Sequence, residues 1–505
     1  MRNKVMVLTA FLLIVASLCS NVFAADLKKD TLTVGTTAEP STLDLLSTSD
    51  LFCSQYQVFD NLLEETFDGK GTLLPGLAEK WEVSSDGKEL KFYIRKNVKF
   101  HNGDILTADD VVFTLNRAIK SPFTQAISSF MNVAEAIDAY TVRVKLNFAY
   151  GSALACLATP NFGIQNKRAV ETDAKAYGRK PIGTGPYILK EWLSGDKIVY
   201  TSFPGYFRGP APIKNVIFKI IPDASTQVVA LERGEVDVLD TNPSADARNS
   251  FKTNPKLSFY ECNSNAYLYI AFNNANGFFS NPKVREAVSY AVDRKELIEG
   301  AKNGVGEPVE APMLAMCADY PQGYKANPLD IAKGKKLLAE AGYPQGFTVK
   351  MKTIDNPVYL RPTEVLQQQL GKIGIKIEIE TLSRTKWMAD VLGKSDFEIT
   401  FWAVVARVID ADYCQYILFH SSNIGGKGNY INVNIPELDK VLDRARVTQD
   451  PKERKELYAK SSQLIKENTC IVPLFSTTRI SVSNKSLKGV TVNPANINKY
   501  YYTSW

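Results

Sequence analysis

The chain predicts an α/β protein, and three observations carry that expectation. Helix and strand patterns alternate through the second half, where helical runs stop at Gly342 and Gly374 and Ile375, Ile377 and Ile379 then follow at period two. Shorter period-two runs, with one clear helix start among them, fill the first half. The composition is that of a globular chain, 45% hydrophobic and 23% charged over 505 residues, which excludes disordered, collagen-like and disulfide-scaffold classes. At roughly 150 residues per unit, the length suggests about three domain-sized units.

Read in order, the chain opens with Arg2 and Lys4 before an apolar run over 5–18, then Val22-Phe23-Ala24 ahead of Ala25. This is the pattern of a secretory signal, removed after residue 24, with an apolar run too short to span a bilayer. Cys19 offers a weaker, lipid-anchored alternative, because Leu18 stands where a small residue is wanted. The remaining cysteines, Cys53, Cys156, Cys262, Cys317, Cys414 and Cys470, are widely spaced with no CxxC pair. That spacing argues against a thiolate metal site and leaves their pairing open.

Residues 31–36 read as a strand. Leu90, Phe92, Ile94, Val98 and Phe100 alternate as a half-buried hairpin or meander. Thr107 with Asp110 starts a helix whose Val111, Leu115 and Ala118 share a face. Strands follow at 141–146, 196–203 and 214–221, with a Gly/Pro loop at 181–187 and a helix over 225–233. Asn281-Pro282 caps a helix carrying Val284, Ala287, Val288 and Ala291. Pro362 is expected to open another, with Leu366, Leu370 and Ile373 aligned. Pro436 and Asp450-Pro451 open two more. Helix followed by strand favours a lobe built on a mostly parallel sheet.

Catalytic motifs are absent. Gly393-Lys394-Ser395 has Met388 where a phosphate-binding loop needs glycine, and Gly183-Thr184-Gly185 runs into Pro186, which has no N–H to offer a pyrophosphate. No GxSxG or HExxH occurs, and the two histidines, His101 and His420, read as surface or structural residues. The carboxylate pairs Asp109-Asp110 and Asp410 with Asp412 read as caps rather than acid/base pairs. The net charge of +6, which falls by two when Arg2 and Lys4 leave with the signal, is too small and too dispersed for nucleic acid.

Longer motifs say more. GLAEKWEVSSDGK at 76–88, FYIRKNVKFHNG at 92–103 and LTADDVVFT at 106–114 are followed by PIGTGPY at 181–187 and NPKVREAVSYAVDR at 281–294. Together with 337–343, 371–375, Leu418-Phe419-His420-Ser421 and Ile471-Val472-Pro473-Leu474, they closely resemble the family 5 extracellular solute-binding proteins, the peptide, oligopeptide and nickel receptors of ABC importers. The resemblance spans essentially the whole mature chain. It implies a two-lobed periplasmic-binding-protein-like fold (type II, cluster C-like) with an extra α/β domain inserted in lobe one. Lobe one would take 25–57, 181–265 and 475–505, the insert 58–180 and lobe two 266–474, with a hinge crossing near 266–272 and 471–476. A monomer in the periplasm would enclose a solute, peptide-like above all, and deliver it to an inner-membrane ABC permease, with no cofactor, metal or chemistry of its own. A secreted hydrolase or a chaperone on the same scaffold are the alternatives.

For the site, the resemblance points to a lobe-two loop. Trp402 matches a family tryptophan that dipeptide receptors follow closely with an amine-binding aspartate. Here Val404, Val405, Ala406 and Arg407 follow instead, and Asp410 comes later. Arg361 resembles an arginine that neighbours the ligand carboxylate in some relatives, and Tyr267 lies on the expected hinge strand. Without the aspartate a free peptide amine loses its charge partner, so an apolar solute, or one with an anion near Arg407, is expected.

Overall fold

Two long antiparallel strands, Leu257–Phe272 and Ile471–Asn484, form the spine of the molecule. The computed structural model describes residues 30–48, 52–66, 72–239, 245–495 and 497–505; the expected signal at 1–24, with Cys19, lies outside them. Among the described residues no helix is long and apolar enough to cross a membrane, and all six remaining cysteines are free thiols.

The spine sits inside one 11-stranded sheet. On one side of it lie Ile399–Val405, Phe347–Ile354 and Ile375–Leu382; on the other lie Val238–Leu239, Thr31–Thr36, Asn215–Ile220, Lys197–Ser202 and Tyr187–Leu193. The expected mostly parallel sheet is in fact mixed. Phe347–Ile354 is parallel to both Ile375–Leu382 and Ile399–Val405, yet Ile399–Val405 meets the spine antiparallel. The helix Pro357–Gly371 makes the crossover that a parallel pair requires, whereas the spine strands meet as segments some 200 residues apart in the chain.

Side-chain alternation gives this sheet two cores. Tyr267, Tyr269 and Ala271 point into one apolar cluster, and Leu268, Ile270 and Phe272 into another on the opposite face. A strand buried on both faces therefore reads as a continuous apolar run. Between Asn263 and Tyr267 the register with the partner strand breaks, and three residues stand opposite Thr477 alone. Ser264 and Thr477 close the gap through their hydroxyls at 2.6 Å.

A smaller unit is built on a four-stranded antiparallel sheet, Ala78–Val83, Glu89–Ile94, Thr141–Leu146 and Met131–Asp138. Helix Ala108–Lys120 packs on it through Val111, Leu115 and Ala118. The Thr107 N–H donates to Asp110 at 3.1 Å, the reciprocal half of a capping box. The strand stops at Ile94; Val98 and Phe100 are buried from a turn in which the Phe100 N–H reaches the Asp104 carbonyl at 2.8 Å.

One helix start differs from expectation. Helix Pro357–Gly371 begins a turn and a half before Pro362, with Asn356 accepting the Val358 N–H at 2.9 Å as its cap. Pro362 has no N–H for the Val358 carbonyl, and the Lys302 ammonium takes that carbonyl at 3.2 Å instead. A side chain from another helix thus repairs the break that would have ended this one.

The Gly/Pro loop at 181–187 is a chain crossing. Gly185 donates to the Val58 carbonyl at 2.9 Å, and a Cβ on Gly183 would stand 2.0 Å from that same oxygen.

Candidate ligand cleft

A cavity of about 930 Å³ opens where the two lobes and the smaller unit meet, the size and position typical of small-molecule sites. The 3₁₀ turn Cys53–Gln57 brings Tyr56 to it, and the carboxyl-terminal segment brings Asn498, Lys499 and Tyr502. From the smaller unit the turn Pro160–Phe162 brings Asn161. Strand Ile399–Val405 and the loop after it bring Trp402, Val405 and Arg407.

Trp402 is half-buried in an aromatic stack, 5.5 Å from Tyr359 at 18° and 4.3 Å from the fully buried Trp387. The Arg384 guanidinium lies 6.0 Å over its ring. Rings held this way form a rigid shelf for a flat or apolar part of a ligand.

The expected site residues divide. Trp402, Val405 and Arg407 line the cavity. Val404 stands opposite Tyr267 in the ladder and packs on the core cluster to which Tyr267 belongs, so both lie behind the wall. Ala406 is fully buried, its N–H donating to the Asn265 carbonyl at 2.8 Å and its carbonyl accepting from the Asn265 amide at 2.8 Å. Asp410 caps helix Ala411–Phe419 and accepts from Ser152 at 2.7 Å and Arg454 at 2.8 Å. Arg361 is exposed on its helix, away from the cavity. Tyr56, Asn161, Asn265, Arg384 and Lys499 join the wall without a motif to announce them. The one local signal is at Asn265, inside the register break of the spine.

Charge in the cleft is unevenly compensated. Lys499 pairs with the fully buried Asp60 at 3.1 Å. Burial works against its charge, but Asp60 and Glu64 outweigh burial and hold its pKa above the ordinary range. Glu64 is also paired with Arg208 at 2.9 Å. Arg407 donates to the Phe123 carbonyl of the smaller unit at 2.8 Å. Burial pushes the Tyr56 phenol well up despite the Arg407 charge, so it is a neutral hydroxyl at any working pH.

Below the cleft the smaller unit is fastened to the helices Ala411–Phe419, Pro436–Val447 and Pro451–Glu467. Tyr150 donates to Asp412 at 2.9 Å, the Gly151 N–H reaches the Arg446 carbonyl at 2.9 Å, and Arg454 binds Ser152 at 3.0 Å while also bridging Asp410 and Asp319. Neither histidine lines the cavity: His101 packs on Gly185, and His420 stacks on Tyr416 at 4.4 Å.

Comparison with known proteins agrees with this geometry. The model of bacterial extracellular solute-binding proteins, family 5 Middle, matches residues 72–426. The heme-binding protein A of Haemophilus influenzae is 29% identical over 483 residues, covering 89% of this chain and 87% of its own. The glutathione-binding protein GsiB of Salmonella choleraesuis is 31% identical over 430 residues, covering 83% of each chain. The solved structure of HbpA2 from Haemophilus parasuis superposes with a TM-score of 0.85 at 28% identity, over 94% of this chain and 99% of that one.

Proposed function

The chain belongs to the family 5 bacterial extracellular solute-binding proteins, and from that premise we propose that it captures a peptide-like solute outside the cytoplasm and delivers it to the permease of an ABC importer. The observation that carries this reading is the cavity itself, walled by both lobes and the smaller unit at once. A ligand that touches every wall favours the closed arrangement over any open one, because its contacts exist together only there. The permease then has a loaded shape to recognise.

The finer assignments are part of the same proposal. The register break at Asn263–Tyr267 supports a hinge there, with lobe one at 25–57, 181–265 and 475–505, the insert at 58–180 and lobe two at 266–474. The amino-terminal pattern supports a cleaved signal and a periplasmic protein. In this proposal it acts as a monomer and performs no catalysis.

Native mass spectrometry of protein purified without refolding, followed by small-angle scattering before and after ligand is returned to stripped protein, tests the reading. A peptide-like mass in the cleft and a fall in radius of gyration on reloading are expected. An unchanged radius with ligand demonstrably bound, or turnover of peptides by the pure protein, overturns it.

A further inference from the structure

Two cysteines far apart in the chain meet in the core. Cys317 and Cys414, 97 positions apart, are 2% and 1% exposed and belong to one apolar cluster. Both are thiols in the structure and share a hydrogen bond, and both stand close enough to the buried Tyr267 phenol to act on it. An independent contact holds the same two segments together. Arg454 bridges Asp319, two residues beyond Cys317, and Asp410, four residues before Cys414. The meeting of the two cysteines therefore belongs to the fold and not to one choice of rotamers. The other cysteines are engaged elsewhere. Cys53 donates to the Asn498 carbonyl at 2.8 Å, Cys156 sits in the core of the smaller unit, Cys262 is opposite Arg479 in the spine, and Cys470 lies beside Arg285.

The position suits a covalent link. Cys317 lies within residues 309–330, a stretch that forms neither helix nor strand. So long a segment has no ladder of backbone bonds to fix it and depends on its side chains. Met313, Leu314 and Cys317 anchor it in the cluster on which Trp402 and Val404 also pack. Cys414 stands in the first turn of helix Ala411–Phe419. A bond between the two would tie the irregular segment to a helix behind the aromatic shelf. It would also close a long loop, the case in which a crosslink restricts the unfolded chain most.

We infer that Cys317 and Cys414 form a disulfide in the mature protein, made by exchange with an external disulfide as the chain folds outside the cytoplasm. This rests on the reading of an exported protein above, because a reducing cytoplasm keeps such thiols reduced. The thiolate of one cysteine attacks an external disulfide, expels one thiolate and forms a mixed disulfide. The thiolate of the other cysteine then attacks the protein sulfur of that bond and expels the second. Each cysteine gives up one proton, and the pair gives up two electrons, which reduce the external disulfide to two thiols. The Cys414 contact, and then burial, hold the Cys317 thiol well above its ordinary range, so the folded, reduced pair is a poor nucleophile. Exchange therefore precedes closure of the core, and closure then shields the bond from reductant.

The full chain, expressed with its own signal in a host with an oxidising periplasm and purified without reductant, tests the pair. It is alkylated in denaturant, digested without reduction and mapped by mass spectrometry. The Cys317 and Cys414 peptides are expected joined, two hydrogens lighter than their sum, with Cys53, Cys156, Cys262 and Cys470 alkylated. Alkylated Cys317 and Cys414 in protein that has lost its signal overturn the disulfide and leave the importer reading standing. If the signal is retained and the protein stays in the cytoplasm, the export reading fails. Refolding the reduced chain with oxidised and reduced glutathione then decides the pair by the same map: joined peptides support it and alkylated ones overturn it. Protein refolded and melted in reductant is expected to have a Tm about 3–10 °C below that of the oxidised form. The double variant Cys317→Ala, Cys414→Ala should melt alike in both conditions, and an equal shift in it would overturn the stapling role.

Discussion

His101 illustrates how much a single side chain can owe to its surroundings. Its Nε2 lies 2.9 Å from the Gly185 carbonyl, its ring meets Phe203 edge-on at 5.1 Å, and Nδ1 is buried with no partner among the described residues. Burial pulls its pKa down to about 4, against the weaker opposing pull of the Gly185 carbonyl. The folded state therefore resists protonation that the unfolded chain accepts near pH 6.5. Between those values the unfolded chain binds more protons, so stability falls as pH drops from about 6.5 to about 4 and changes no further below that on this account. The loss should amount to about 3 kcal/mol. Denaturant melts of wild type and His101→Gln at pH 7, 5.5 and 4 are expected to show the variant losing less on acidification; equal losses would assign the acid sensitivity elsewhere. The sequence supports a structural histidine beside the Asn102-Gly103 turn. It does not reveal Gly185, which sits 84 positions away and meets the ring only in the folded chain.

At the scale of elements, local chemistry predicts what local chemistry controls. The caps at Thr107, Asn281 and Asp450 start helices where the sequence places them, because each is satisfied within a few residues. Pro362 misleads for the complementary reason: the acceptor it strands is rescued by Lys302, 60 positions upstream. The glycines of the 181–187 loop are legible as a turn, but their reason is the neighbouring chain at Val58. Gly183→Ala forces a methyl group into the Val58 carbonyl, and a loss of about 3 kcal/mol is expected. Thermal melts should show a clear drop in Tm, and an unchanged Tm would mean that the crossing relaxes freely. Trp402 is legible as a site residue through the family motif, whereas Val404 and Ala406, which share its face of the strand and pack on the same apolar cluster, do not reach the cavity.

The molecule as a whole depends on contacts that sequence patterns do not announce. Tyr56, Asn161 and Lys499 converge on one cavity from three distant stretches, and no periodicity relates them. The two-lobed plan is legible only because long motifs recur in family order. Asp410, a candidate for the ligand, instead joins Arg454, Ser152 and Asp319 in fastening the smaller unit to the helix Pro451–Glu467. Arg454→Met leaves the buried Asp319 and the half-buried Asp410 without their cation, and about 3–5 kcal/mol of destabilisation is expected. Because the same arginine spans two bodies, the variant should also scatter as a more open particle without ligand. Destabilisation with unchanged scattering would confine the arginine to the stability of lobe two.

The pairing of Lys499 with Asp60 has a consequence for how the protein is made. Asp60 is fully buried, and its cation arrives from 439 residues downstream. The same late segment supplies the Tyr500 N–H that bonds the Gln57 side chain at 3.2 Å. The packing around Gln57 and Asp60 therefore cannot be completed before that segment has been synthesised. Contacts of such sequence separation form slowly, and domains emerging at about 5–20 residues per second must wait for them. Until then a buried carboxylate stands open to water and the binding cleft lacks one wall. The pairing of Asp60 with its cation is thus among the last contacts the growing chain can make.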